Sequence, residues 1–151
     1  NTFTYGDINI ELAETTGANY KIIPGKDINK DPKVTVKANS EACWLFVKVQ
    51  EAGTFVDGKV TYSIDDGWTK LTGVTGVDNV YYREVGAVTA DTSFDVIKDN
   101  KVYVKDTLMK EDIKSITNPT LTFTAYAVQK DGINTAADAW DKVPAPTTTN
   151  P

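Results

Sequence analysis

TLTFTAYAVQ, residues Thr120–Gln129, gives the strongest indication of the fold class. Apolar and polar residues alternate along much of it, and this period of two is typical of a β-strand rather than a helix. It is the clearest long strand signal in the chain. One side of the predicted strand carries Leu121, Phe123, Ala125 and Ala127, and the other carries Thr122, Thr124, Tyr126 and Val128.

Further strand signals precede this stretch. Residues 42–49 are almost continuously apolar, which predicts a central strand buried on both faces. Residues 33–38 and 60–64 alternate, and Val80–Val85 carries paired tyrosines. Residues 94–104 predict two short strands joined by a hairpin turn at Asp99-Asn100. Because these strands do not alternate with helices, the sequence predicts an all-β, antiparallel β-sandwich.

Two segments favour short helices instead of strands. Residues 107–116 mix three apolar residues with Lys, Glu and Asp before the Asn118-Pro119 stop, and residues 135–143 begin with a capping candidate. After Val143 the chain is rich in Pro and Thr, which is typical of an extended tail. We therefore predict a β-sandwich domain over residues 13–143, preceded by an N-terminal strand segment over 1–12 and followed by a tail over 144–151.

Charge and hydropathy exclude two classes of partner. The net charge is −5 and the pI is near 4.7, with no clustered basic segment to bind phosphates. The longest apolar runs are far too short to cross a bilayer. The sequence thus predicts neither nucleic-acid binding nor a membrane span. The chain opens on Asn1 rather than Met, so this is either the start of a processed mature form or an artificial start. Removal of a signal peptide would leave such an N-terminus, and on this ground we expect a secreted protein.

The sequence offers little catalytic chemistry. It contains no histidine and a single cysteine, Cys43, in an apolar stretch. This removes Ser-His-Asp and Cys-His designs and the usual zinc sites. We therefore expect no enzymatic activity, no cofactor and no metal. Two acidic pairs, Asp65-Asp66 and Glu111-Asp112, stay open as glycosidase candidates, although adjacent acids are usually solvated surface.

One loop shares the opening spacing of a calcium-binding loop. Asp27, Asn29 and Asp31 alternate as in such loops, but Pro32 stands where the glycine is required. A polar loop with local turns is the better interpretation.

The N-terminal segment carries the apolar residues Phe3, Tyr5, Ile8 and Ile10. The alternation shifts by one residue at Gly6-Asp7, and a β-bulge there would return both halves to one face. Such a strand either pairs within its own sheet or is donated to a neighbouring molecule. The residues alone leave these two alternatives equal.

Six segments, in their order and spacing, resemble a known family. They are Ile22-Ile23-Pro24-Gly25, Lys30-Asp31-Pro32 leading into Val34-Thr35-Val36, Asp66-Gly67-Trp68, Tyr81-Tyr82-Arg83-Glu84-Val85, Leu121-Thr122-Phe123-Thr124-Ala125-Tyr126-Ala127-Val128-Gln129, and Ala136-Ala137-Asp138-Ala139-Trp140. Over roughly residues 1–143 the chain is similar to the TasA/camelysin family of secreted Gram-positive proteins with SipW-type signal peptides.

The resemblance implies a jelly-roll-like sandwich that serves as the subunit of an extracellular, biofilm-matrix or pilus-like filament. In such a homopolymer, the N-terminal strand of one subunit adds to the sheet of the next. Carried over here, the donor strand lies within residues 1–12 and uses Phe3, Tyr5, Ile8 and Ile10. Some family members were classed as metallopeptidases, but a chain without histidine offers no zinc site to transfer.

A second hypothesis comes from the aromatic residues. It describes a monomeric cell-surface module that binds carbohydrate, with a matrix polysaccharide as its partner. Aromatic residues at strand spacing more often form core or cross-strand pairs, so this hypothesis is the alternative. The candidates are Trp44, Trp68, Tyr81, Tyr82, Tyr126 and Trp140.

Overall fold

A computed structural model of the chain describes residues 1–16 and 21–143. Within these residues most of the regular structure is β-strand, with two short helices and one 3₁₀ turn at Lys98–Asn100. The elements are, in chain order, β1 (Thr2–Tyr5), β2 (Ile10–Ala13), β3 (Ile28–Asn29), β4 (Lys33–Val36), β5 (Cys43–Ala52), β6 (Val60–Thr61), β7 (Thr69–Lys70), β8 (Val80–Val85), β9 (Thr92–Asp95), β10 (Lys101–Val104), α1 (Lys110–Ser115), β11 (Thr120–Gln129) and α2 (Ala136–Trp140).

The two longest strands form the centre of a five-stranded sheet with the order β1-β11-β5-β8-β7. β11 and β5 pair antiparallel along ten residues each, from Thr120 opposite Ala52 to Gln129 opposite Cys43. Both strands were predicted from the sequence, and both predictions are confirmed. β5 is buried on both faces because it lies between β11 and β8 and because both faces of the sheet are covered.

Two three-stranded sheets, β3-β10-β6 and β2-β4-β9, cover one face of the large sheet. The predicted all-β sandwich is therefore confirmed. The core lies between these layers. From the large sheet it takes alternate residues of β5 and β11, and the fully buried Val34 and Val36 of β4 face them. This is the packing expected when the inner faces of two layers interdigitate.

The second face of the large sheet is covered by α2. The Thr135 hydroxyl accepts a hydrogen bond from the Asp138 amide at 3.1 Å and so caps this helix. Trp140 then packs edge-on against Phe46 and Tyr126, with ring centroids 5.1 and 5.0 Å away. Both predicted helices are thus confirmed as short elements, and neither is long and apolar enough to traverse a bilayer within the described residues.

Two details of the predicted topology are wrong. The hairpin at Asp99-Asn100 does not form, because β9 pairs with β4 whereas β10 pairs with β3 and β6. Asp99 and Asn100 do adopt positive φ angles, 58° and 54°, so the turn is real but it connects two different sheets. In addition, β1 pairs with β11 in parallel, unlike the other strands of the large sheet. The predicted tail, residues 144–151, lies outside the described residues.

Candidate functional site

The four predicted polymerisation residues lie in two different layers of the sandwich. Phe3 and Tyr5 belong to β1 at the edge of the large sheet, and both are exposed, at 37% and 43%. Ile8 lies two residues before Ile10, which begins β2; both are buried in the core between the layers, at 8% and 7%. The N-terminal segment therefore contributes an exposed edge strand and two core residues.

The phase shift at Gly6-Asp7 has a different cause from the predicted bulge. The chain leaves the large sheet after Tyr5 and enters the β2-β4-β9 sheet at Ile10. Phe3 and Tyr5 lie beside Tyr126 and Val128, on the face that α2 covers, whereas Ile8 and Ile10 face the opposite layer. The bulge prediction is wrong because the two halves lie in different sheets and face opposite sides of the large sheet.

Gly6 is the hinge between these halves. Its φ angle is +108°, a conformation that L side chains rarely adopt, and a Cβ atom there would lie 2.6 Å from Gln129 Cβ. The phase shift at this residue is visible in the sequence, but the change of sheet that it marks was not predicted. A glycine at the point where alternation changes phase was the available signal.

β1 is held to its neighbour by main-chain pairing and one aromatic contact. Thr2 to Tyr5 pair in register with Ala125 to Val128, and the Ala125 amide donates to the Asn1 carbonyl at 3.0 Å. The Phe3 ring stacks on the Tyr126 ring with centroids 5.5 Å apart and planes 19° apart. Such a contact contributes about 0.5–1.5 kcal/mol beyond area burial. Nothing on the outer side of β1 pairs with it among the described residues.

The segment after Gly6 is held more firmly. The Asn9 amide donates to Ser40 Oγ at 3.0 Å, and the Asn9 carbonyl accepts from the Lys37 amide at 2.8 Å. Ile10 then pairs opposite Val36, which is fully buried. The anchoring of the N-terminal segment thus increases from Asn1 towards Ile10.

Two grooves flank the Asn1 end of β1, where the large sheet and β2 come together. One, of about 350 Å³, is lined by Asn1, Ile10, Leu12 and Lys37 among others. The second, of about 490 Å³, shares Asn1 and Leu12 with the first. The open edge of the sandwich is therefore grooved.

The lone thiol is inert in this structure. Cys43 is fully buried in β5, and burial raises its pKa to about 12. Nucleophilic and ligand chemistry require the thiolate, which is disfavoured there. The prediction of a buried thiol is confirmed.

The acidic pairs have structural partners. Asp65 Oδ1 accepts from the Gly67 amide at 3.1 Å, and Asp66 pairs with Lys98 at 3.4 Å. Asp112 accepts from the Met109 amide at 2.9 Å, and this bond at the start of α1, together with Lys59, lowers its pKa. These contacts account for the placement of three carboxylates without a catalytic role.

The calcium-like loop uses its third acid internally. The Asp31 carboxylate accepts from the Thr15 and Thr16 amides at 3.0 and 3.1 Å and from both threonine hydroxyls. In the described part of the chain, no three metal-ligating side chains of the His, Cys, Asp or Glu type come together. Asp31 thus ties the chain after β2 to the chain before β4.

This contact predicts an acid-sensitive component of stability. The Thr15 hydroxyl, with help from the two amides, lowers the Asp31 pKa from 3.8 to about 2. Because the folded-state pKa is depressed, the stabilisation is present above pH 3.8 and is lost as the pH falls towards about 2. We expect the urea midpoint of the natural chain to fall more steeply across this window than that of Asp31→Asn.

Asp141→Asn, at a residue exposed after α2, is the matched control for that experiment. It should retain the pH slope of the natural chain. Equal slopes for Asp31→Asn and the natural chain would show that the hydrogen bonds from Thr15 and Thr16 to Asp31 contribute nothing to the pH dependence of stability.

Most aromatic candidates for a sugar-binding face are packing residues. Trp44, Trp68 and Tyr126 are buried, and the two indole nitrogens donate to the Ile133 and Asp95 carbonyls at 3.0 and 2.8 Å. The other three, Tyr81, Tyr82 and Trp140, are half-buried. The six rings therefore do not share one exposed face.

Comparison with known proteins identifies no relative. No protein-family model matches the chain, and neither a curated protein nor a solved structure does. The resemblance to the TasA/camelysin family therefore stays a hypothesis that rests on the sequence segments quoted above.

Proposed function

We propose that this chain is the non-enzymatic structural subunit of a secreted extracellular filament, assembled by exchange of its N-terminal strand. The observation that carries the proposal is the placement of β1. It is a four-residue edge strand whose side chains are all exposed, and it joins the domain through Gly6. The resemblance to secreted fibre proteins supports the same assignment.

Exchange would replace each contact of β1 with an identical contact between molecules. When β1 leaves its own β11, it uncovers a row of main-chain groups and the Tyr126 ring. A second copy offers the same Thr2–Tyr5 sequence, so its strand fits the vacated edge in the same register. Main-chain hydrogen bonds then supply affinity, and the side chains fix the register.

The contact would propagate rather than close. The donating segment and the accepting edge are different surfaces of one molecule, so the association is head-to-tail and produces a filament. In the single chain described here β1 pairs with its own β11. Exchange would start from this arrangement, when β1 separates from β11. We also propose a jelly-roll-like connectivity for the sandwich, because the resemblance implies it.

Negative-stain electron microscopy of the purified chain at neutral pH tests the proposal. We expect unbranched filaments and, by light scattering, a rise in mass with concentration. A chain that stays monomeric at all concentrations would overturn the proposal. A glycan-dependent change in tryptophan fluorescence of such a monomer would support the carbohydrate-binding alternative instead.

A further inference from the structure

A cleft on the side of the sandwich away from β1 is lined by aromatic and acidic residues that have no part in the proposed function. It consists of two adjoining cavities of about 420 and 260 Å³, which share Glu51, Tyr62 and Tyr81. The first extends to Phe55 and Asp57, and the second extends to Asp78 and Asn79. These residues come from β5, β8 and the loops that follow β5, β6 and β7.

Aromatic rings form the walls of this cleft. The Phe55 and Tyr62 rings meet edge-on with centroids 5.7 Å apart, and Tyr81 lines both cavities. All three rings are half-buried, so each packs on the core with one part and faces the cleft with another. Such walls favour a ligand with an apolar stem, or a cation that lies over the face of a ring.

The polar groups of the cleft carry negative charge. Glu51 Oε2 accepts a hydrogen bond from the Tyr62 hydroxyl at 2.5 Å, which fixes the carboxylate against the ring. Burial, then Glu51 and Asp78, raise the pKa of Tyr81, so both carboxylates act at its hydroxyl. Burial and Glu51 also raise the pKa of Tyr62, so both tyrosines stay neutral.

These carboxylates have no basic partner among the described residues. No lysine or arginine nitrogen lies within 4.0 Å of Glu51, Asp57 or Asp78. Lys70 is the cross-strand neighbour of Tyr81, and it too makes no ion pair there. The carboxylates are also too dispersed to form a three-ligand metal site in the described chain.

We infer that this cleft binds a primary ammonium group carried on an aliphatic stem. The ammonium would donate hydrogen bonds to the carboxylates of Glu51 and Asp78, and the stem would lie along the Tyr62 and Phe55 rings. An organic cation fits better than a metal ion because its stem can pack on the aromatic walls, which a metal ion would not use. The inference does not depend on the filament proposal.

Two sources carry this chemistry, a free diamine and a lysine side chain of a second copy of the chain. Titration with cadaverine at constant ionic strength tests the shared chemistry. We expect saturable changes in the ring resonances of Tyr62 and Tyr81 in the NMR spectrum, with a Kd in the millimolar range. Pentanol has a similar stem without the charge and should give no saturable change.

Glu51→Gln should weaken cadaverine binding about tenfold or more, since one charge-assisted hydrogen bond is lost. Glu41→Gln is the matched control, because Glu41 is an exposed glutamate at the opposite end of β5. Asp78→Asn gives a second variant in which the Tyr62–Glu51 bond remains. If cadaverine also reduces self-association of the natural chain, the lysine of a second copy is the source. If it binds without that effect, the source is a free amine.

Three results would overturn the inference: no saturable change with cadaverine, an equal response to pentanol, or the same affinity in Glu51→Gln and Asp78→Asn as in Glu41→Gln.

Discussion

A chain that lacks residues 1–10 is expected to remain monomeric under conditions in which the full chain forms filaments. The deletion removes β1, the strand proposed to exchange, and the two core residues Ile8 and Ile10. Burial of these two side chains contributes roughly 3–6 kcal/mol at ~1.5–3 kcal/mol each. That amount is lost from the stability of the domain itself, because both side chains lie in its own core. Negative-stain electron microscopy and sedimentation measure the outcome.

Two further variants separate loss of assembly from loss of folding. Deletion of residues 1–5 keeps Ile8 and Ile10 in the core and should still abolish filaments. A synthetic peptide of residues 1–10, added to the longer deletion, should bind to the emptied edge and raise its melting temperature. Deletion of residues 144–151 is the control of similar length and should leave assembly intact. Filaments formed by either N-terminal deletion would contradict strand exchange.

Phe46→Ala is expected to lower the free energy of unfolding by about 3–5 kcal/mol. Phe46 is fully buried at the centre of β5, where it packs between Tyr82 on β8 and Trp140 on α2. Its removal leaves a cavity that the central strand of a sheet cannot readily close. Since domains of this size are stable by only about 5–15 kcal/mol, the variant should be close to its unfolding limit.

Urea denaturation monitored by tryptophan fluorescence gives this value. Gln50→Ala is the matched control, because Gln50 is exposed on the same strand and points to the same face as Phe46. We expect it to change the free energy by no more than about 0.5 kcal/mol. A loss below about 1 kcal/mol for Phe46→Ala would mean that α2 does not hold a packed second core.

The long strands could be predicted from the sequence because the apolar pattern within each strand indicates which of its faces are buried. In β11 the alternating residues Leu121 and Phe123 face the core between the layers, so a period of two predicts both the strand and its orientation. β5 is apolar on both sides because α2 covers its second face. Thr135, the cap of that helix, was also visible in the sequence.

The pairings between strands could not be predicted in the same way. A one-residue phase shift at Gly6 fits either a bulge or a change of sheet, and only long-range pairing with β11 and β4 decides between them. The turn at Asp99-Asn100 has the expected backbone conformation, but its flanking strands have partners far away in the chain.

The N-terminal strand and the cleft also differ in how far they could be predicted from the sequence. The N-terminal strand could be predicted because it lies in one continuous segment with a visible apolar pattern, and its donation to a second molecule stays a prediction that the resemblance implies. The cleft at Glu51, Tyr62 and Tyr81 was not predicted, because the fold brings its residues together from three separate stretches. No local pattern marks such a site.

A disulfide between β1 and β11 would distinguish strand exchange between molecules from strand pairing within one molecule. Thr4 and Ala127 are paired in register on these strands, and neighbouring strands lie about 4.8 Å apart, within the range that a disulfide requires. Both side chains are small, so Thr4→Cys with Ala127→Cys changes little volume. The natural Cys43 is fully buried and does not compete.

The doubly substituted chain is oxidised after assembly and then separated under denaturing, non-reducing conditions, with Thr4→Cys alone as the control. If β1 is donated, the bond joins two molecules, and a ladder of covalent multimers appears and collapses on reduction. If β1 stays in its own sheet, the bond closes within each molecule, and a single monomer band would contradict the account.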